Sequence, residues 1–362
     1  MELFRKYFLP GLIFQSVVIG GGYATGRELI EFFFAAGPIG GVLGLLTSGL
    51  IFSIVLAAGF ELARVSKAYD YRQFCKALLG RGWFVFEILY ICLILLILSV
   101  IGSASGLILQ ESLGLPPLAG TVALMVLIGV LTYAGSDIIK QFLTGWSFLL
   151  YGVYIILFVM AFYSFGGDIS NTYSQADVGM DWLKSGVLYS GYNLAVLPAV
   201  LFAITAHTSR KETVGAGLIA GLLAVIPAIL FYIAMMGKYP DIGDQSVPAT
   251  YLMNSLNIGW LAIIFQIVVF GTFVETGTAL LHAINERVSG VYEEKNKHLP
   301  RYLRPVIATG ICLLAIYAAS AFGIVNLIGQ GYGILTFGFI AVLVVPLLTV
   351  GSYKILKHRA DV

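Results

Sequence analysis

The sequence predicts an all-α integral membrane protein of ten transmembrane helices. They form two inverted five-helix halves, and the first helix of each half, the first and sixth of the chain, is broken. Three observations carry this: the composition, the distribution of basic residues, and a glycine-bearing interruption in the opening span of each half. Of 362 residues, 59% are apolar and 11% charged, where an ordinary soluble domain carries roughly 25% charged residues. The mean hydropathy is +0.93. So much apolar surface cannot be hidden in one soluble core. At about 20 residues per span the length admits at most about a dozen spans, with no sizeable soluble domain left over.

The same composition excludes other classes. A net charge of +2 gives no basic footprint for nucleic acid. Cys75, Cys92 and Cys312 lie far apart, so neither a metal-spaced pair nor a disulfide framework is expected. No GxSxG, HExxH or P-loop sequence occurs, which argues against an enzyme or an ATP-driven pump. No cofactor is expected. The first apolar run has no small-residue cleavage site and reads as a retained helix, not a signal peptide.

Apolar runs bounded by charge, Gly or Pro fall at 7–36, 39–64, 82–111, 117–134, 138–165, 184–209, 212–236, 258–287, 303–321 and 326–355. The junction after the second run interleaves Lys67, Arg72, Lys76 and Arg81 with Tyr71, Phe74, Leu78 and Leu79, the pattern of a short interfacial amphipathic helix. Segment 241–256 reads as a second short helix on the opposite side. With the N-terminus inside, 18 of the 21 Lys and Arg residues fall in inside segments. Only Lys184 and Lys238 lie in outside loops, and Arg27 is within a span. This positive-inside bias predicts two cytoplasmic termini and an even number of spans. A bacterial plasma membrane is the simplest location.

The first span carries Gly20-Gly21-Gly22 at its middle, and each glycine costs a helix about 1 kcal/mol relative to alanine. Thr25-Gly26-Arg27-Glu28 follows, a capping-box pattern. The helix should therefore stop near Gly20 and restart near Thr25. The sixth span is expected to break at Tyr189-Ser190-Gly191-Tyr192-Asn193, with Asn193 as N-cap of its second part and Pro198 loosening that part. The breaks lie 170 residues apart, from Gly21 to Gly191. Five spans precede the second break, so the halves, 1–166 and 167–362, enter the membrane from opposite sides as in an inverted repeat.

Ten spans in a 5+5 order with the first and sixth unwound resemble the LeuT-type fold of the amino acid–polyamine–organocation superfamily. The stretch Gly20 to Glu28 (GGGYATGRE) is similar to that of the YkvI-type amino acid permeases. The resemblance implies a secondary transporter, symporter or antiporter, of a small solute such as an amino acid or amine. It implies alternating access in which the first, second, sixth and seventh helices move against the third, fourth, eighth and ninth. An amino-acid-sensing receptor or channel subunit on the same fold is the alternative.

Backbone groups freed at a break must be satisfied by protein, water or ligand. Gly20, Gly21, Gly22, Tyr23, Ala24 and Thr25, with Tyr189, Ser190, Gly191, Tyr192 and Asn193, are the expected solute-binding residues. The restarted helix would present its amides to a carboxylate, and the carbonyls around Val18 would suit a cation. Ser103 and Ser105, with Gly102 and Gly106, are candidates for the same cavity wall. Arg27 is an intramembrane charge and a functional candidate by default. It is read as a gate or carboxylate anchor, opposite a tenth span that offers Asn326, Gln330 and Tyr332 but no carboxylate. Gln330 is the expected gate partner. By the resemblance the eighth helix packs on the first and supplies sodium-binding hydroxyls, so Thr272, Thr276 and Thr278 are candidates. Glu275 beside them is a candidate to take up a proton or sodium. The lysine that replaces sodium in some relatives would here be Lys140, which reads as an interfacial charge.

Overall fold

The computed structural model describes residues 2–134, 136–294, 299–300 and 302–360; of a few helical residues, most within 134–148 and 286–294, it describes only the backbone. The side chains of Lys140 and Glu286, and residues Lys295, Lys297 and Arg301, lie outside that description. The regular elements are helical. They are α1 (Glu2–Tyr7), α2 (Leu9–Val18), α3 (Gly21–Ala24), α4 (Arg27–Phe33), α5 (Gly37–Ser66), α6 (Tyr71–Leu79), α7 (Trp83–Leu113) and α8 (Pro117–Ala134). There follow α9 (Ser136–Ser174), α10 (Trp182–Asn193), α11 (Arg210–Met235), α12 (Pro248–Ser255), α13 (Gly259–Glu294), α14 (Leu303–Asn326), α15 (Gly333–Phe339) and α16 (Ser352–Ala360).

Among the described residues, six stretches are long and apolar enough to cross a membrane unaided: Arg27–Ser66, Tyr71–Leu113, Leu149–Ser174, Arg210–Lys238, Gly259–Ser289 and Leu303–His358. The expected first and sixth spans are absent from this set because they are in pieces. The longest uninterrupted parts, α2 and α10, hold 10 and 12 residues, too few to cross about 30 Å of hydrocarbon. The last stretch has 56 residues and turns at Gly323, whose φ of 68° leaves the helical region. The predicted amphipathic helix is α6. Its N-cap Asp70 accepts from the Gln73 amide at 2.9 Å, and it buries Phe74, Cys75 and Leu78.

The packing sorts into two groups. α5 runs along α11 and α10, and α11 also packs on α2. The second group joins α7 to α8 and α14, and α13 to α7, α8 and α9. The short α3 touches α7 and α13, and α4 touches α10 and the π-helical turn 327–332. Both termini come to one end: Lys6 Nζ pairs with Glu212 Oε1 at 2.8 Å, and Lys354 Nζ donates to the Ala77 carbonyl.

The α5–α11 seam depends on close backbone approach. A Cβ at Gly221 would lie 2.1 Å from the Ser53 nitrogen, and one at Gly217 2.4 Å from the Ala57 nitrogen. Ser53 Oγ donates across the seam to the Leu218 carbonyl at 2.8 Å. Gly221→Val should therefore force the helices apart, at a cost of about 3 kcal/mol. A thermal melt of the detergent-purified variant should show a drop of several degrees, and an unchanged melt would refute this account of the seam. The α7–α8 contact uses similar means. Gly102 and Gly106 face Thr121 and Pro117, and across the contact Thr121 Oγ1 donates to the Gly102 carbonyl at 2.8 Å and Ser105 Oγ to the Gly120 carbonyl at 3.3 Å. These residues, with Ser103, are absent from the cavity described below. Their expected place was its wall; Gly102, Ser105 and Gly106 serve helix packing instead.

Candidate solute-binding site

The first helix is interrupted twice. After Val18 the Gly20 amide turns back to the Val18 carbonyl at 2.7 Å, not to the Ser16 carbonyl four residues behind it. That carbonyl is thereby released from the helical ladder. One turn, α3, follows, and the second interruption is Thr25-Gly26. Gly26 stands at the N-cap of α4 with φ of 76°, a left-handed conformation that glycine adopts without strain. Thr25 Oγ1 donates to the Gly22 carbonyl at 2.6 Å and accepts from the Arg27 amide at 3.2 Å. Two freed carbonyls find distant donors: Tyr154 hydroxyl to Ala24 at 2.6 Å, and the Ala249 amide to Thr25 at 2.9 Å.

The expected capping box does not form. With Gly26 at the cap, the Glu28 carboxylate turns away from the chain before it. Its Oε2 accepts from the Tyr192 hydroxyl at 2.7 Å. Its Oε1 packs so closely over Gly22 that a Cβ there would lie 2.2 Å away. The place where a solute carboxylate was expected is therefore taken by the chain's own acid.

The sixth segment also differs from expectation. Residues 189–193 remain α-helical, and the change comes at Leu194, where tighter turns run over Leu194–Ala199 and Leu201–Ile204. Pro198 explains the shift, because it has no amide to return to the Leu194 carbonyl. Asn193 is helical, not a cap, and its Nδ2 donates to the Tyr189 carbonyl at 2.9 Å.

A cavity of about 350 Å³ lies where these two interruptions meet. It reaches from Glu28 and Tyr192 along Ser16, Val17, Ala199, Phe202 and Leu280 toward the end that holds the termini. At its other end aromatic rings pack together. Phe33 meets Tyr189 at a centroid distance of 5.1 Å, and Phe32 meets both Tyr189 and Tyr192 at 5.6 Å. Over this plug lies the segment 241–256. Arg27 holds it, donating through Nη1 to the carbonyls of Gly243 (3.0 Å) and Gln245 (2.9 Å) and through Nη2 to Glu31 at 2.7 Å. Glu31 packs on the backbone of Gly329, while the neighbouring Gln330 is exposed. Arg27 thus takes its partners from the lid and its own helix, in place of the expected Gln330.

Of the residues singled out from sequence, Val18, Gly20, Gly22, Tyr192, Asn193, Glu275 and Thr276 line the cavity. Tyr189 is in the plug. Tyr23, Ala24 and Thr25 are buried beside the interruption, with Gly21 in α3. Ser190 donates back to Gly186 at 2.7 Å, and Gly191 packs on Thr336 and Ile340. Thr276 comes within 4.0 Å of a Cβ built on Gly20, which places the eighth span against the first interruption. Thr272 instead donates to its own helix at Val268 (2.9 Å), and Thr278 is buried outside the cavity wall. Sequence reasoning missed Glu28, Tyr90, Tyr151 and Tyr332 as lining residues. An acid within a span was a legible signal at Glu28, but the capping pattern gave it another role.

No family model matches the chain. It is 24% identical over 325 residues to the uncharacterized membrane protein YkvI of Bacillus subtilis (strain 168), covering 87% of this chain and 91% of that one. Among solved structures it is similar to MhsT in complex with L-phenylalanine (TM-score 0.60, 15% identity, 97% of each chain). It is similar to a manganese transporter of Eremococcus coleocola (TM-score 0.59, 14% identity, 96% of this chain and 83% of that chain). A Na+-coupled sialic acid symporter in a substrate-bound outward-open state is a third (TM-score 0.53, 16% identity, 92% and 84%). The chain is thus similar over most of its length to YkvI, and its fold is the LeuT type that these three solved proteins share.

Proposed function

We propose that this chain is a secondary active transporter that moves a small solute, an amino acid or an amine, by alternating access, driven by sodium or protons. One observation carries the reading: a cavity between two interrupted helices, shut at one end by an aromatic plug and an arginine-held lid, and extended toward the other. The likeness in fold to a phenylalanine-bound protein, a Na+-coupled sialic acid symporter and a manganese transporter supports it. In this reading the two pieced segments, Pro117–Tyr133, and the two arms either side of Gly323 complete ten spans in two inverted halves, 1–166 and 167–362. The basic residues then put both termini in the cytoplasm of a bacterial cell, and the cavity faces inward. The group of α2, α5, α10 and α11 rocks against α7, α8, α13 and α14. The coupling ion lies between the carbonyls around Val18 and the side chains of Glu275 and Thr276.

The test is flux in liposomes containing the purified protein, with labelled amino acids and amines and an imposed sodium or proton gradient. Accumulation that collapses when one gradient is dissipated is expected. If sodium is the driver, Thr276→Val should weaken the dependence; if protons are, Glu275→Gln should remove it. Solutes that bind but never cross, under either gradient, would replace this reading with a sensing subunit on the same fold.

A further inference from the structure

We infer that the solute is an organic ammonium ion whose charge is met by Glu28, with no free carboxylate beside it. This rests on the transporter reading and narrows its substrate class.

Glu28 is 4% exposed and lies in the cavity wall. One neutral hydroxyl, that of Tyr192, donates to it. A carboxylate so far from water requires a proton or a cation to offset its charge. Around it the wall is aromatic. The rings of Tyr192 and Tyr332 stack with centroids 4.4 Å apart and planes within 7°, and Tyr90, Tyr151 and Phe202 continue the lining. Ring faces attract cations, most strongly where water is excluded. Apart from Ser16, Asn193, Thr276 and a second carboxylate at Glu275, the rest of the wall is largely aliphatic, with Leu93, Ile94, Ile97 and Val196, which suits an apolar body behind the charged group.

The cation that a solute carboxylate would seek is committed elsewhere. Arg27 gives both terminal nitrogens of its guanidinium to Gly243, Gln245 and Glu31 and lies outside the cavity lining. Among the described residues lining the cavity there is no Lys, Arg or His. At the restart of the first helix the Arg27 amide already has Thr25 Oγ1 as partner, and an incoming carboxylate would meet the like charge of Glu28. A zwitterion therefore gains at its amine and loses at its acid; an amine only gains.

The deciding experiment uses two matched sets of probes on the unmodified protein: propylamine, alanine and propionate, and 2-phenylethylamine, phenylalanine and 3-phenylpropionate. Thermal stabilisation, which follows binding by mass action, and counterflow in liposomes are read for each. In at least one set the amine should bind ten times or more tighter than the amino acid, and the acid should not bind. Glu28→Gln should weaken the amine at least tenfold. An amino acid that binds as tightly as its amine overturns the charge assignment and leaves the transporter reading standing. So does amine binding untouched in a folded Glu28→Gln. Silence from all six probes overturns the assignment as well, and only silence from the wider flux panel above would also overturn the transporter reading.

Discussion

Gly22→Ala should cut solute transport severely, while Gly20→Ala two residues earlier should be tolerated. The two glycines belong to one sequence motif but stand in different surroundings. A methyl group at Gly20 meets nothing nearer than the Val17 carbonyl at 3.8 Å, an ordinary contact. At Gly22 it would lie 2.2 Å from Glu28 Oε1 and 3.0 Å from Cδ. The Glu28 side chain can swing aside, so the fold survives. In doing so it loses the Tyr192 hydroxyl and vacates its place in the cavity wall. The bond that anchors this carboxylate contributes about 1.5–3 kcal/mol, and with the carboxylate displaced the solute loses its charged partner, so affinity should fall at least roughly tenfold. Uptake and thermal stabilisation measured on both variants give the check. Equal losses in the two would mean that the glycines serve only helix packing, and the role given to Gly22 would be wrong.

Arg27→Ala should release the lid. Arg27 is 7% exposed, and it ties two carbonyls of segment 241–256 and the Glu31 carboxylate to the first helix. The Glu31 side chain is 22% exposed, so part of the ion-pair energy is screened. The two charge-assisted bonds to the lid should still leave about 2–3 kcal/mol in favour of closure. At about 1.4 kcal/mol per tenfold change, their loss raises the lid-open population by roughly thirtyfold or more. A cysteine placed at Phe32, in a Cys92→Ser background, reports this as faster reaction with a membrane-impermeant thiol reagent added on the lid side. Arg27→Lys should fall between, since one ammonium cannot fork to both carbonyls and the acid at once. An unchanged labelling rate in folded Arg27→Ala would show that the lid closes for another reason.

Much of the architecture is legible in the amino-acid sequence. Apolar run lengths locate the helices because hydrocarbon imposes a minimum length and demands internal backbone pairing. Gly20-Gly21-Gly22 locates the first interruption because helix propensity is a local property. The amphipathic helix at Tyr71–Leu79 follows from its alternation of charged and aromatic residues. The details of the site are less legible. The capping pattern at Thr25 and Glu28 is sound as a local rule, but Gly26 takes the cap position in a left-handed conformation. The interruption expected at Tyr189–Asn193 moves to Leu194 because the missing amide of Pro198 counts for more than one glycine. Gln330 stays exposed, and the lid carbonyls take its place beside Arg27.

Composition and near neighbours along the chain suffice to establish an all-helical membrane protein, a first helix that breaks at its glycines, and intramembrane charges at Arg27 and Glu275 that call for a role. Packing between distant segments settles the rest. It brings Glu28 to Tyr192 across 164 residues, carries Arg27 to carbonyls 216 and 218 residues away, and sets Thr276, not Thr278, against the first interruption. The physical reason is that a buried charge takes whichever partners the packed helices bring to it, and no local pattern records which those will be.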